Sequence, residues 1–244
     1  FKTFFIAPTQ EQTHKFSVDR VSATIHGSPI IEEYFTDFGS ADRVLTREFS
    51  ATNSKIYFSY ASDNADRCRG VTAPKILFDE VQDMLIDVVA PVVLECTRNF
   101  TDTYEMYCGT PKTMENSIEH LWAASSQSEW AIKCDACGRY SVSRSEKMLG
   151  VEGPICMHPG CGAYVNPRNG CWVDMVKGAE YKGFHISRIT MPNEVPKAWA
   201  PGTDGHAAAH KRWKKIWNLL YGKKPYSLSL FHNEVLGVSD SVGR

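Results

Sequence analysis

The chain has 244 residues, which is long enough to bury a substantial core and to form one large domain or two smaller ones. Its 27 Lys and Arg residues nearly balance its 28 Asp and Glu residues, which excludes a global electrostatic attraction to nucleic acid or to an anionic membrane. No apolar stretch approaches the roughly 20 residues that span a bilayer, and residues 1–9 lack the zones of a signal peptide, so we expect a cytosolic protein with no membrane partner.

Strand and helix patterns alternate over the first half of the chain, which favours an α/β fold with a largely parallel sheet. Residues 9–21 are predicted to form a helix in which Thr9 is the N-cap and Gln12 completes a capping box. Residues 43–60 are instead typical of a hairpin, with Asn53 and Ser54 at its turn. The predicted strands are residues 3–7, 43–49, 55–60, 75–79 and 103–108.

Helical spacing of apolar residues recurs later in the chain. Residues 84–100 have this spacing, although Pro91 predicts a break or a new first turn inside the segment. A second helix is expected at 115–124 and a basic helix at 207–221. The basic helix carries Lys211, Arg212, Lys214 and Lys215 beside Trp213 and Trp217. It is either an amphipathic helix with a solvated face or a surface that grips a phosphate backbone.

Four of the eight cysteines form two close pairs, Cys134 with Cys137 and Cys156 with Cys161, separated by 18 residues. Two such pairs can supply four thiolates to a tetrahedral Zn²⁺, and this spacing favours a structural metal site over a disulfide framework. Gly138, Gly160 and Gly162 would permit the tight turns. His158 is an alternative ligand within the second pair, or else a surface histidine.

Paired carboxylates follow the apolar strand that ends at Phe78, and the next predicted strand ends in Cys108-Gly109-Thr110-Pro111. A buried parallel strand that ends in Asp79 and Glu80 can deliver one carboxylate to a Mg²⁺ shell and the other to an attacking water. The alternative is structural: a solvated strand end beside a helix that Asp83 caps, and a tight turn at residues 108–111.

Taken in order, these motifs resemble those of the large terminase subunit of tailed phages, in particular the lambda-type GpA group. Residues 7–10 are similar to the second helicase-like motif, residues 76–80 to the Walker B segment, and residues 109–111 to the coupling motif. Residues 183–186 and 231–237 are similar to strings that follow the ATPase core in that group. The resemblance implies a phosphate-loop NTPase-like fold of the ASCE or RecA-like class, with a mostly parallel sheet and an inserted zinc ribbon.

The resemblance also implies site roles. Asp79 would hold Mg²⁺ through water, Glu80 would orient or activate the hydrolytic water, and Thr110 would link ATP hydrolysis to DNA movement. Arg69 matches the position of a trans-acting arginine finger, and the nearby Arg67 leaves that assignment open. The implied partners in the host cytoplasm are double-stranded DNA, the portal protein, the small terminase subunit and further copies in a ring.

Two departures from the family pattern lead to further expectations. The sequence contains no G-x-x-x-x-G-K-[ST] phosphate loop, and it holds no carboxylate cluster for the nuclease that would cut DNA. We therefore expect a fragment, truncated at its N-terminus, that alone does not hydrolyse ATP. Its expected parts are an ATPase core at 1–128, a zinc-ribbon insertion at 129–173 and the end of the ATPase region at 174–244.

Two alternative functions follow from the same residues. The first is a non-enzymatic zinc-ribbon module that binds DNA or a protein. The second is a superfamily 2 helicase, which would need a second RecA-like domain, and no segment after Cys171 has that pattern.

Overall fold

The computed structural model describes residues 1–35 and 43–239. The chain divides into two units, Phe1–Gly109 and Thr110–Arg244, and each has its own sheet. Within the described ranges, no helix combines the length and the apolar character needed to cross a membrane.

The first unit is built on a five-stranded sheet whose strand order is β2-β3-β1-β4-β5. Strands β1, β3, β4 and β5 run parallel, and β2 pairs with β3 in the antiparallel sense. The predicted strands and the mostly parallel α/β sheet are thereby confirmed. Their bounds are β1 (Lys2–Ala7), β2 (Thr46–Phe49), β3 (Ser54–Tyr60), β4 (Lys75–Phe78) and β5 (Tyr104–Tyr107).

Strands β1 and β4 are apolar on both faces because both faces of the sheet are covered. Phe4, Ile6, Ile76 and Phe78 are buried on one face. On the other face, Phe5 packs with Phe58 and stacks on Phe16 at 4.2 Å between ring centroids. A continuous apolar run is typical of a parallel strand covered in this way.

The segment after β1 begins as predicted and then departs from a regular helix. Thr9 caps α1 (Gln10–Lys15), because its Oγ1 accepts from the backbone N–H of Gln12 and donates to the side-chain Oε1 of the same residue. A π-helical turn, Phe16–Ser22, follows α1. The buried Arg47 of β2 donates to the carbonyl of Ser17 and to both serine hydroxyls of this turn, which ties the turn to the sheet. Two short helices complete the segment, α2 (Ala23–His26) and α3 (Pro29–Phe35).

The predicted hairpin is confirmed, but the predicted break at Pro91 is wrong. Phe49 pairs with Ser54 across the turn, where Asn53 adopts a left-handed conformation with φ 49°. Helix α4 (Ile86–Leu94) runs through Pro91. Proline removes one amide donor there, and the burial of Ile86, Val89 and Val93 stabilises the helix.

The second unit combines small sheets with short helices. Strand β6 (Ser128–Lys133) pairs with β10 (Gly170–Val173) and β7 (Tyr140–Ser141) in the antiparallel sense and with β11 (Phe184–His185) in the parallel sense. Strands β8 (Leu149–Gly150) and β9 (Gly153–Pro154) form a separate hairpin. The helices are α5 (Ser117–Ala123), α6 (Asp204–Tyr221) and α7 (Leu228–Phe231).

The core of the second unit joins residues from 129–173 to residues that come later in the chain. Ile132, Cys134 and Met148 pack in one buried cluster with Trp213 and Phe231. The indole N–H of Trp213 donates to the carbonyl of Gly150 at 3.0 Å. The division at residues 128 and 173 stays a prediction, but this shared core predicts that 129–173 depends on α6 for its folding.

Candidate active site and candidate metal centre

Asp79 and Glu80 lie at the carboxyl edge of the first sheet, directly after the internal strand β4. The backbone N–H of Asp79 donates to the carbonyl of Ile6 on β1 at 2.9 Å, and the N–H of Val81 donates to the carbonyl of Cys108 after β5 at 3.0 Å. Strands β1 and β4 are neighbours in the sheet. The parallel strand that follows β1 in the chain, β3, lies on one side of this pair, and the strand that follows β4, β5, lies on the other side. The acids therefore flank a topological switch point, where open α/β sheets form ligand-binding crevices.

Burial affects the charge state of the first acid. Asp79 is partly buried, and its pKa is raised because burial removes water from the carboxylate and because Glu80 adds a second negative charge. The pKa of the neighbouring thiol of Cys108 is raised by burial and then by the same two acids. A carboxylate destabilised in this way gains from a cation, which is the chemistry that a Mg²⁺ ion would supply.

Glu80 is held in an unusual backbone conformation that the sequence pattern did not predict. Its φ is 54°, in the left-handed region, which costs free energy for a residue with a side chain. The resulting turn brings the side chain of Gln82 to Glu80, and Nε2 of Gln82 donates to Oε2 of Glu80 at 2.5 Å. Gln82 was missed because a glutamine two residues after an acid is not by itself a signal.

The segment after β5 approaches this turn closely at Gly109. A Cβ atom added to Gly109 would lie 2.4 Å from Oε1 of Gln82 and 3.3 Å from the backbone nitrogen of Val81. Thr110 directly follows Gly109 and is the first residue of the second unit. The structure thus brings Asp79, Glu80 and Gly109 to one edge of the sheet, and the role of Thr110 stays a prediction.

The two candidate arginines lie beyond β3. Nε of Arg69 donates to Asp66 at 3.0 Å, and the Arg69 side chain is 63% exposed. The guanidinium of Arg67 lies over the ring of Tyr60, 4.9 Å from its centroid, and lines a shallow cavity of about 320 Å³ with Ser62 and Asp63. The trans-acting role stays a prediction.

The four paired cysteines converge in the second unit. Their sulfur atoms all lie within 4.8 Å of one another, and the distances Cys134 to Cys161 and Cys137 to Cys156 are both 3.7 Å. A tetrahedron with Zn–S bonds of about 2.3 Å has S···S edges of about 3.8 Å, whereas a disulfide needs about 2.05 Å. The cluster is therefore suited to a zinc ion.

The surroundings of the cluster favour a thiolate at Cys134 and tight turns at the glycines. The pKa of Cys134 is lowered to about 7, chiefly because the backbone N–H of Cys137 donates to its sulfur. A hydrogen bond from the N–H of Ala163 favours the thiolate of Cys161. Burial and the neighbouring thiols outweigh it and raise the pKa of Cys161 to about 11. The predicted turn glycines all have positive φ: Gly138, Gly160 and Gly162. His158 is not part of the cluster, and its Nδ1 lies 3.1 Å from the Arg139 guanidinium.

One face of α6 carries unpaired positive charge. Lys211, Lys214 and Lys215 are exposed, whereas Trp213 and Ile216 on the opposite face are buried. Within the described ranges, none of the three lysines has an ion-pair partner. The helix is anchored at its N-terminus by Thr203, whose hydroxyl accepts from the N–H of His206. The face is therefore a fixed, positively charged surface.

The chain is similar to known phage terminase proteins. The family model of the phage terminase large subunit gpA, ATPase domain, matches residues 2–176 of the chain. The large terminase of bacteriophage HK97 has 13% identity and a TM-score of 0.37, over 50% of this chain and 24% of that one. The large terminase ATPase domain of Thermus phage P74-26 has 13% identity and a TM-score of 0.47, over 98% of this chain and 77% of that one.

The chain thus spans about a quarter of the length of the HK97 large terminase. It matches no curated protein sequence. The family model covers most of the 244 residues, including both acids and all four clustered cysteines. The chain therefore belongs to the family of the phage terminase large subunit gpA ATPase domain.

Proposed function

We propose that this chain is the part of a viral DNA-packaging ATPase that supplies the acids for ATP hydrolysis, and that the complete protein couples hydrolysis to DNA translocation into the procapsid. The observation that carries the proposal is the position of Asp79 and Glu80 at the carboxyl edge of an internal parallel strand, in a chain of this family. The portal protein, the small terminase subunit and a homo-oligomeric ring are proposed as partners on the family alone.

The two acids have different tasks in this proposal. Asp79 would hold Mg²⁺ through water, and the ion would offset the negative charge that burial and Glu80 disfavour. Glu80 accepts a hydrogen bond from Gln82 on one carboxylate oxygen, which leaves the other oxygen to orient the water that attacks the γ-phosphate. Thr110 couples the phosphate state to DNA movement, and Arg69 or Arg67 acts on the nucleotide of a neighbouring subunit.

Hydrolysis also needs a phosphate loop, and the sheet has an edge that can accept its strand. Strand β5 is the last strand at that side of the sheet in the described part of the chain. Tyr104 and Met106 of β5 are 53% and 43% exposed. A parallel strand added beside β5 would end at the same edge as Asp79 and Glu80, so a phosphate loop after that strand would face the acids.

The test uses this chain fused behind a phosphate-loop strand from the same family. The fusion should show DNA-stimulated ATPase activity, and Glu80→Ala should abolish it. Asp87→Ala removes an exposed acid of α4 in the same unit and should leave the rate unchanged. Activity that survives Glu80→Ala would overturn the proposed mechanism.

We also propose that Zn²⁺ occupies the cysteine cluster in a structural role. Four thiolates fill a tetrahedral ion, so no coordination position is open for catalysis. Two of the ligands, Cys134 and Cys156, belong to the buried core that includes Trp213. The ion would therefore brace the core of the second unit.

The basic face of α6 favours a second candidate function, DNA binding by the second unit without catalysis. A polyanion is complementary to three exposed lysines that have no ion-pair partner within the described ranges. This function predicts salt-sensitive DNA binding that does not depend on Asp79. It is compatible with the motor, in which the same face would contact the DNA being moved.

A further inference from the structure

The hydrogen bond from Gln82 fixes the carboxylate of Glu80, which otherwise is free to rotate. A glutamate side chain has three torsions, and a base that orients water must hold its oxygen within hydrogen-bond reach of that water. The left-handed backbone of Glu80 turns the chain so that the two side chains meet, and both are partly buried. The donor on Gln82 therefore selects one arrangement of the Glu80 carboxylate.

Gly109 lies next to the oxygen of the Gln82 side-chain amide, whereas the nitrogen of that amide donates to Glu80. The Cα of Gly109 lies so close to Gln82 that an added Cβ would be 2.4 Å from Oε1 of its side chain. The backbone on either side is tied together as well, because the N–H of Cys108 donates to Phe78 and the N–H of Val81 donates to Cys108. Gln82 is thus held between the carboxylate of Glu80 and the backbone that follows β5.

We propose that Gln82 is a positioning residue for Glu80, and that Gly109 sets the place of the Gln82 amide. The inference rests on the proposed function of Glu80. Because Gly109 is bonded directly to Thr110, a displacement of the chain at Thr110 reaches Glu80 through Gly109 and Gln82. The contact between Gly109 and Gln82 is therefore a physical route for the predicted coupling between ATP hydrolysis and DNA movement, and it starts at the end of β5.

The contact between Gly109 and Gln82 can be tested on the chain as it exists, by thermal unfolding of four proteins: the wild type, Gly109→Ala, Gln82→Ala and the double variant. The alanine methyl at 109 would meet Oε1, the mobile end of the Gln82 side chain, and displace it from Glu80, so it should lower the unfolding midpoint by about 2–4 °C when Gln82 is present, the cost of roughly one hydrogen bond. In the Gln82→Ala background that atom is gone, and the same methyl should cost much less. An equal decrease in the unfolding midpoint in both backgrounds would contradict a contact between residue 109 and the Gln82 side chain.

The effect on Glu80 is tested by kinetics in the phosphate-loop fusion. Gln82→Met nearly keeps the size of the side chain and removes the donor without adding a charge beside Glu80. It should lower kcat about 10- to 100-fold while the KM for ATP changes less than about twofold, since the orientation of the base is lost. Gly109→Ala should lower kcat similarly, with little further loss in the Gln82→Ala background.

The outcomes separate this inference from the proposed function. If Glu80→Ala abolishes hydrolysis but Gln82→Met and Gln82→Ala retain the wild-type kcat, Gln82 does not position Glu80 and the proposed function stands. If Glu80→Ala itself retains activity, the proposed function fails, and the inference fails with it. A rise in KM with unchanged kcat in Gln82→Met would also overturn the positioning role.

Discussion

The sulfur atoms of Cys134 and Cys161 lie 3.7 Å apart, although 26 residues separate them in the sequence. This distance is too long for a disulfide and close to the edge of a zinc–thiolate tetrahedron. The backbone N–H groups of residues 136 and 137 donate to Cys134, so the protein stabilises a thiolate at this position. These contacts lead to the first prediction.

We expect the purified protein to contain one zinc ion per chain, and removal of the ion to unfold the second unit. Structural zinc sites in small peptides contribute roughly 10–16 kcal/mol of apparent binding free energy, which is also folding free energy. Metal content by mass spectrometry and thermal unfolding with and without a chelator give the measurement. Cys137→Ser should lose the ion, whereas Cys171→Ser, an exposed thiol outside the cluster, should keep it. A protein without zinc whose unfolding ignores the chelator would contradict the prediction.

Asp79→Asn should stabilise the first unit at pH 7. The pKa of Asp79 is raised above its usual value of 3.8 by burial and by Glu80, so the folded state binds this proton more tightly than the unfolded state does. Ionisation of Asp79 therefore destabilises the fold as the pH rises through the raised pKa, and the neutral amide removes that cost. The gain should shrink as the pH falls toward 3.8 and vanish below it, where the carboxyl is protonated in both states.

Unfolding in urea at pH 7 and at acidic pH measures this difference. Asp87→Asn, at an exposed site on α4, is the control and should have little effect at either pH. A loss of stability in Asp79→Asn at pH 7 would mean that the carboxylate is held by favourable contacts. Stabilisation by removal of a functional charge is a common sign of a site selected for activity.

The lysines of α6 should account for much of any salt-dependent DNA binding. For duplex DNA, the slope of log K against log salt falls by about 0.9 for each phosphate contact, so the triple change of Lys211, Lys214 and Lys215 to Ala should reduce the slope by up to about 2.7. Fluorescence anisotropy with a labelled duplex measures the binding. A matched control changes Lys133, Lys147 and Lys177, which are exposed elsewhere in the same unit. Equal slopes for both triple variants would remove α6 from the interface.

The sequence predicted those features that depend on local pattern. Strands β1 and β4 could be predicted because both are apolar on both faces, and the cysteine cluster because two close pairs with turn glycines suit a tetrahedral ion. The cap at Thr9 depends only on a residue three positions later. Each of these signals lies within a few residues of chain.

Contacts between distant segments could not be predicted in this way. The left-handed turn at Glu80 is stabilised by hydrogen bonds to β1 and to the end of β5, and neither partner is near it in sequence. Helix α4 continues through Pro91 because its apolar face is buried, which outweighs one lost amide donor. The close approach of Gly109 to Gln82 likewise depends on the register of β4 and β5.

A buried, hydrogen-bonded pair of side chains in the second unit gives the last prediction. Nδ1 of His185 lies 2.7 Å from the Glu129 carboxylate, and Nε2 lies 2.6 Å from the carbonyl of Leu236. The two side chains are 7% and 1% exposed, so the pair joins β6, β11 and the segment after α7 away from water. Removal of one partner leaves a buried polar group without its counterpart.

Glu129→Ala should therefore lower the free energy of unfolding by about 3–5 kcal/mol, the range found when one partner of a buried pair is removed. Glu146→Ala is a matched control, because Glu146 pairs with His232 at 3.0 Å in a more exposed setting and should cost about 1 kcal/mol or less. Urea unfolding of both variants gives the comparison. Equal losses would mean that the Glu129–His185 pair is no more important to the fold than a less buried pair, and that apolar packing alone holds the segment after α7 in place.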